Sequence, residues 1–289
     1  MVNVKQYLEA GVDDIYYGAR DSAGYLIGNT ATAPAAGNQD GAAMALLEGI
    51  KTVPLALQEV ERVNITGSNR ALGVRQFNPI ELPSGTPTLG TADMVFAALA
   101  MNLTLAEIGA FTFLGLQPSE LSFQDLILMT VNAGTSRASG SEGSTIYTGK
   151  IVLAAQCFWQ DDAGMTERQA VDYQFSVTAQ YGARFPWGLA LPGSVQYAAV
   201  RYTSLYKPMI QRWTGDGVET DFNLAKDLAE DSADNIAVYV DGVAQTWVTG
   251  VPGAGEFGVT LNTAPTEDVI VLGTAPADGA KVVAIYGWK

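Results

Sequence analysis

The chain has 289 residues, a formal net charge of -14, no histidine and one cysteine. An internal disulfide and every catalytic triad or zinc site that needs histidine are therefore excluded, and the acidic balance opposes attraction to nucleic acid and anionic membranes. Charged residues make up only 16% of the chain, below the typical value of about 25%, which favours a surface that is partly covered by partners.

The length is sufficient for about two domains, each with its own core. The first residues, MVNVKQYLEAGVDD, lack the apolar core of a signal peptide, so we expect a soluble protein made in the cytoplasm. The most apolar long region, residues 92–116, is interrupted by Asp93, Asn102 and Glu107. A membrane span needs about 20 nearly unbroken apolar residues, so we expect no contact with a membrane.

The first elements in the chain are extended. Residues 14–20 alternate and are followed by a turn at 21–24 and a second extended stretch at 25–28, which predicts a β-hairpin. Residues 29–41 show no periodicity and are predicted to form a loop. Extended structure is predicted over 46–66 and 71–77, with a turn at 68–70 between them and a loop over 79–87.

One helix is predicted over residues 94–101. The stretch Thr91-Ala92-Asp93 can supply an N-cap, and Met94, Ala97, Ala98 and Met101 share one face. A single helical turn is predicted at 118–123.

Strands dominate the rest of the first domain. They are predicted over 125–132, 145–158 and 172–181, with a flexible loop at 136–144 and a turn at 160–166, while 195–206 is either a strand or a linker. Cys157 lies in the apolar run IVLAAQCFW and is predicted to be a buried core residue. Because the strands do not alternate with helices, a doubly wound nucleotide-binding sheet is not expected. We predict a mainly β domain over residues 1–205 with one flanking helix.

The stretch RWTGDGVETDFNL, residues 212–224, admits two interpretations. Asp216, Glu219 and Asp221 suggest a calcium loop, but the alternate positions Val218 and Thr220 carry no carboxylate. The other interpretation is a turn that opens a folded module. It fits better, since Gly-Asp-Gly at 215–217 predicts a tight reversal between apolar flanks.

The residues that follow predict a small β-sandwich of about 80 residues, which begins at Arg212 and ends at Lys289. We place the C-terminal domain that contains it at 206–289. A strand at 236–240 ends in Asp241-Gly242, a hairpin signal, and 245–248 returns. Further strands are predicted at 259–261, 269–272 and 281–286. The acidic run at 227–234 is predicted to be a solvated loop.

No catalytic, cofactor-binding or metal-binding residue is predicted. GAGEFG at 253–258 matches a dinucleotide fingerprint, but the required helix is replaced by the strand-like Val259-Thr260-Leu261. The carboxylate pairs at 13–14 and 161–162 are surrounded by nothing convergent. We therefore do not expect an enzyme.

Two regions resemble phage proteins. WTGDGVETDFNL, IAVYVDGVAQTW, VTLNTAP and DGAKVVAIYGW resemble a small β module that recurs in phage tail proteins. EGIKTVPLALQEVERVNITGSNRALGVRQFNPIELPSGTPTLGTADMVFAALA resembles the first half of major tail tube proteins of phages with long non-contractile tails (siphophages), and DYQFSVTAQYGARFPWG is similar to their closing strand.

The resemblance implies a structural protein of the virion tail, made in the bacterial host cytoplasm. Tail tube subunits form hexameric rings whose inner sheets join into a β-barrel, and the rings stack through loops and terminal arms. DNA passes through a negative lumen without specific binding. The tape measure protein, tail terminator and distal tail proteins are the implied partners, and the C-terminal domain is implied to be an outward decoration. Residues 29–41 and 136–144 are the candidates for contacts between rings.

Two other functions remain open from the sequence. The chain is alternatively another virion component, such as a tail terminator, a head decoration or a fibre domain. A third hypothesis is a carbohydrate-binding adhesive β-sandwich, in which exposed Trp213, Trp247 and Trp288 stack on sugar rings. Core packing is the more frequent role of such tryptophans and is the competing interpretation.

Overall fold

The computed structural model describes residues 7–9, 14–29, 32–48, 50–52, 62–67, 70–76, 84–89, 93–108, 110–115, 124–136, 144–160, 173–179, 199–262 and 267–288. The chain is mainly β, with 55% of residues in strands, 4% helical and one helix among the described residues. The predicted mainly β class is confirmed.

Among the described residues, the first two thirds of the chain hold sixteen strands and the helix α1 (Met94–Ala100). In chain order the strands are β1 (Tyr7–Glu9), β2 (Asp14–Arg20), β3 (Leu26–Gly28), β4 (Ala42–Ala43), β5 (Ala45–Leu47), β6 (Ile50–Thr52), β7 (Arg62–Gly67), β8 (Arg70–Gln76), β9 (Ser84–Gly85), β10 (Thr88–Leu89), β11 (Leu105–Ile108), β12 (Phe111–Leu114), β13 (Leu126–Ser136), β14 (Thr145–Gln160), β15 (Tyr173–Ala179) and β16 (Ala199–Ser204).

The largest sheet in the described part of the chain is antiparallel, has eleven strands and is curled into a half-barrel. Its main path runs β3-β2-β13-β14-β15-β10-β6. The long strand β14 divides the sheet, because its first half pairs with β16 and its second half pairs with β15. On the other side, β13 pairs with β1 and β2, and β5 pairs with the outer side of β2.

Helix α1 covers one face of this sheet. The side chain of Asp93 accepts a 2.8 Å hydrogen bond from the amide of Phe96, so the predicted N-cap is confirmed. Phe96 is fully buried and makes edge-to-face contacts with Tyr17 and Phe175, at centroid distances of 5.0 and 4.8 Å. Cys157 lies in the same core and is fully buried, as predicted.

Most strands predicted in this part are confirmed, including the hairpin of β2 and β3 and the long strands β13, β14 and β15. Residues 199–204 form a strand rather than a linker. The hairpin of β11 and β12 was missed, because its apolar residues continue those of the helix. The predicted loop at 79–87 contains the short strand β9, and β10 begins directly after it. The predicted helical turn at 118–123 and the turn at 160–166 lie outside the described residues.

The described part of the C-terminal module contains eight strands. They are β17 (Lys207–Thr214), β18 (Asp221–Asn223), β19 (Ile236–Val240), β20 (Val243–Ala244), β21 (Thr246–Trp247), β22 (Glu256–Thr260), β23 (Val269–Leu272) and β24 (Lys281–Trp288). One sheet has the order β20-β19-β24-β17-β4 and the other β18-β23-β22-β21. The two sheets enclose a shared core that contains Trp213 and Phe222, whose ring centroids are 5.8 Å apart.

One detail of the predicted module is wrong, and one predicted turn has an unexpected place in the topology. The turn at 215–217 does not join two strands of one sheet, since β17 pairs with β24 whereas β18 belongs to the other sheet. The return strand after Asp241-Gly242 is β20, not 245–248, and the next residues form β21 in the second sheet. In both places the chain changes sheets, which local turn residues do not reveal.

The module is not built only from residues after 206. Strand β4 is the edge strand beside β17, so the N-terminal part contributes to the C-terminal sheet. One hydrophobic cluster also contains Met129 and Ile151 of the large sheet together with Ile210 of the module. The boundary at 205/206 remains a prediction, and this contact crosses it.

Candidate functional site: the strap and the sheet edges

Residues 34–44, which we call the strap, lie along β17. The amide of Gly37 donates a 3.0 Å hydrogen bond to the carbonyl of Thr214, whose hydroxyl donates to the carbonyl of Pro34 at 3.0 Å. The indole of Trp213 donates to the carbonyl of Gln39 at 2.7 Å. Most of the 29–41 loop, predicted as a contact between rings, is therefore held by its own chain. Residues 137–143 of the second predicted contact are outside the described residues.

Gln211 connects the strap to the interior of the module. Its side-chain amide donates to the carbonyls of Asp40 and Asn223 at 2.7 and 3.0 Å. Its side-chain oxygen accepts from the amide of Ala225 at 2.9 Å and from the hydroxyl of Tyr286 at 3.0 Å. All the hydrogen-bonding capacity of this buried side chain is used, so it fixes the relative positions of strap and sheets.

Two cations tie the module to the large sheet. The guanidinium of buried Arg212 donates to the carbonyl of Leu26 at 3.1 Å and lies 3.7 Å from Asp21. Burial lowers the pKa of Arg212, and the nearby carboxylate of Asp21 opposes that shift. The ammonium of Lys207 contacts Asp14 at 2.8 Å. Asp14, one of the carboxylates considered for acid–base chemistry, is therefore engaged in an ion pair.

Asp216 organises the connection between the two sheets of the module. One of its carboxylate oxygens accepts hydrogen bonds from the amides of Val218 and Glu219, at 2.9 and 2.8 Å. These bonds lower the pKa of the Asp216 carboxyl, because they favour its charged form. The side chain acts as the acceptor of a local turn, which is the structural interpretation of this stretch.

The three tryptophans of the module are not a single exposed aromatic platform. Trp213 is completely buried, so it has the core-packing role and its ring is not available to stack on a sugar. Trp247 and Trp288 are half-buried, and the ammonium groups of Lys207 and Lys226 lie 5.5 and 5.2 Å from the ring centroid of Trp288. Cationic side chains thus contact the ring that a sugar would stack on.

The remaining residues considered for chemistry do not converge. Residues 253–258 lead directly into β22, so the strand predicted after the glycine-rich sequence is confirmed. Burial raises the pKa of the Cys157 thiol well above its usual value. Residues 13 and 161–162 are outside the described ranges. Within the described part of the chain, no group of three or more acidic or cysteine side chains is placed to hold a metal ion.

A continuous row of apolar residues crosses five strands of the large sheet. Register places Leu46 of β5 beside Tyr16, Tyr16 beside Met129, Met129 beside Ile151, and Ile151 beside Val200 of β16. The adjacent row, Ala45–Tyr17–Leu128–Val152–Ala199, is also apolar. Strands β5 and β16 therefore lie at the same height on opposite edges of one sheet.

Both edges carry little charge. Among the described residues, β5 pairs only with β2, and β16 pairs only with β14. Strand β5 has the sequence ALL and β16 has AVRYTS, with Arg201 as the single charged residue of the two strands. Leu46 is 42% exposed and Leu205, next to β16, is 38% exposed. Natural edge strands are usually protected by charge, proline or a bulge, so these edges are typical of strands that pair with another chain.

Among the described helical residues, no helix is long and apolar enough to span a membrane. The sequence matches no protein-family model and no curated protein.

Proposed function

We propose that the chain is a structural virion protein, the tail tube subunit of a phage with a long non-contractile tail. In this proposal it assembles into stacked hexameric rings whose lumen conducts DNA during ejection. The observation that carries the proposal is the curled half-barrel sheet, which has helix α1 on one face and two poorly protected edges. A half-barrel with open edges is the shape from which several copies build one closed barrel.

The acidic composition supports the same function. A net charge of -14 repels DNA, so a lumen built from this chain would let DNA slide without binding. The buried tryptophan at 213 and the lysines beside Trp288 weaken the carbohydrate-binding alternative. The tape measure protein, tail terminator and distal tail proteins are the proposed partners.

The hairpin of β7 and β8 is our candidate for the contact between rings. Its strands pair only with each other among the described residues, and an isolated two-stranded hairpin is marginally stable in water. Residues 62–76 contain Arg62, Arg70 and Arg75 and no acidic residue. The hairpin has a charge of +3, so the rest of the chain has -14 - 3 = -17. A basic hairpin and an acidic body are electrostatically complementary between copies.

Negative-stain electron microscopy with light scattering tests the function. Purified full-length protein is expected to form rings or open tubes about 100 Å across, the size on the order of six compact subunits around a lumen. The same measurement is repeated after an assembled tail tip has been added as a seed. This second condition is needed because some subunits polymerise only on an initiator complex. Protein that stays monomeric under both conditions contradicts the proposal.

A matched pair of variants separates the hairpin from general charge effects. Arg70→Glu is expected to block stacking while leaving single rings, because it reverses charge on the hairpin. Lys226→Glu changes the net charge equally but lies on an exposed loop of the C-terminal module, outside the hairpin and both sheet edges. Equal loss of stacking in both variants would show that the hairpin has no special part in it.

A further inference from the structure

We propose that strand β5 of one copy pairs in parallel with strand β16 of the next copy. This inference rests on the proposed self-assembly and specifies which edges of the large sheet join. The partner is a second copy of this chain, because the two edges complement each other and belong to one sheet.

The first argument is apolar continuity. The row that begins at Leu46 ends at Val200, and the neighbouring row begins at Ala45 and ends at Ala199. When β16 of another copy is placed beside β5, both rows continue without interruption across the boundary. Leu46, 42% exposed in the single chain, then gains an apolar cross-strand neighbour.

The second argument is strand direction. The path from β5 through β2, β13 and β14 to β16 consists of four antiparallel steps, so β5 and β16 run in the same direction. In a ring, neighbouring copies are related by rotation about one axis, and corresponding strands keep the same direction along that axis. Strand β5 of one copy and β16 of the next must therefore pair in parallel. Such head-to-tail contacts are heterologous and generate a closed ring when the rotation closes.

The third argument is charge. Arg201 is exposed on β16, and Glu48 is exposed directly after β5. When the two strands lie side by side in parallel, one basic and one acidic residue border the same seam. Pairing of β5 with β5, or of β16 with β16, would instead bring like charges together.

Disulfide trapping tests the pairing. In the double variant Leu46→Cys/Val200→Cys, the two positions of one chain are four strand spacings apart, or roughly 19 Å. An intramolecular disulfide is therefore impossible, since it needs α-carbons within about 7 Å. Mild oxidation of assembled protein is expected to give a ladder of covalent oligomers on a non-reducing gel. Each single-cysteine variant is expected to give no ladder and no dimer.

The controls separate this inference from the proposed function. Wild-type protein, with only buried Cys157, is expected to remain uncrosslinked. If microscopy shows rings but the double variant gives no ladder, the edge assignment is wrong while the tube function stands. Dimers from either single variant also overturn the inference, because they show that like edges pair. Absence of rings contradicts the function itself.

A second pair of variants keeps the test decisive if the cysteine variants fold poorly. Leu46→Lys places a charge on the exposed edge and is expected to weaken ring formation at least about tenfold without changing the circular dichroism of the subunit. Val251→Lys is the matched control, because Val251 is 97% exposed and lies far along the chain from both edges. Unchanged assembly of folded Leu46→Lys protein would overturn the inference.

Discussion

The indole nitrogen of Trp213 donates a 2.7 Å hydrogen bond to the backbone carbonyl of Gln39, across 174 positions of sequence. The ring is completely buried. A residue of the N-terminal part thus supplies the hydrogen-bond partner for a fully buried side chain of the C-terminal module. We therefore expect the stability of the module to depend on the strap.

Replacing Trp213 by phenylalanine tests this bond. Trp213→Phe leaves the Gln39 carbonyl without its donor and removes part of a buried ring, so we expect a loss of about 2–4 kcal/mol in the free energy of unfolding. Trp247→Phe is the control, because its indole nitrogen is buried without a hydrogen-bond partner. Urea unfolding of both variants should show a clearly smaller loss for the control. Equal losses would mean that the bond to Gln39 contributes nothing.

Gly41 permits the close approach of strap and module. It has a φ of +60°, and a β-carbon there would lie 2.4 Å from Cδ1 of Trp213 and 2.6 Å from the carbonyl oxygen of Arg212. We expect Gly41→Ala to destabilise the protein by about 2–5 kcal/mol, through backbone strain and overpacking together.

Gly279→Ala provides the matched control for that variant. Gly279 has a φ of +79°, but a β-carbon there would meet nothing within 4 Å. We expect Gly279→Ala to lower the free energy of unfolding by about 1–2 kcal/mol, which is the cost of the left-handed backbone conformation alone. Thermal unfolding of both variants separates steric contact from strain, and a Gly41 variant no less stable than the Gly279 variant would contradict the described packing.

Local patterns predicted the elements well and their partners poorly. The cap at Asp93, the alternation in β2 and the hairpin signal at Asp241-Gly242 are properties of neighbouring residues, and all three are confirmed. The residues at 215–217 have the same local chemistry as a hairpin turn, but they connect two sheets. Whether a turn reverses within a sheet or crosses to another depends on distant strands.

The strap shows the same limit at the candidate site. Residues 29–41 have no periodicity, and the hydrogen bonds that the side chains of Gln211, Trp213 and Thr214 donate to them end on backbone carbonyls, which every residue carries. Sequence composition therefore could not distinguish a free loop from one held against β17. The only trace of this contact in the sequence is the pair of glycines at 37 and 41. The structure explains them, because a side chain at these positions would collide with Asp216 and Trp213.

Separating the module from its strap should reveal their dependence on each other. We expect the isolated fragment 206–289 to unfold at lower urea concentration than the same module in the full chain, since Gln211 and Trp213 lose their partners in the strap. Adding a synthetic peptide of residues 32–44 should raise the unfolding midpoint in a concentration-dependent way.

A peptide with alanine in place of Gly41 is the control for that experiment, because its β-carbon collides with Trp213. It should raise the midpoint far less than the natural peptide. The contrary outcome is a fragment as stable as the module in the full chain, with an unfolding midpoint that neither peptide changes. That result would show that residues 206–289 fold independently of the strap.

Buried tyrosines predict the response to alkaline pH. Burial, reinforced by the charge of Asp14, raises the pKa of Tyr16 to about 12, and burial raises the pKa of Tyr17, Tyr202 and Tyr286 in the same direction. Tyrosines of the unfolded chain ionise near pH 10, whereas the buried ones stay neutral in the folded chain. Their contribution to stability is therefore fully present below about pH 10. This contribution is lost as the pH rises from 10 through 12.

We therefore expect cooperative unfolding in that window, measured by far-ultraviolet circular dichroism and by tyrosinate absorbance on the same samples. The buried tyrosines should ionise only as the fold is lost, because the folded state holds them in their neutral form. Tyr16→Phe removes one of these ionisations and should move the unfolding transition to higher pH if the variant folds as the parent does. Full tyrosine ionisation near pH 10 with unchanged circular dichroism would contradict the burial of Tyr16 and its neighbours in the large sheet.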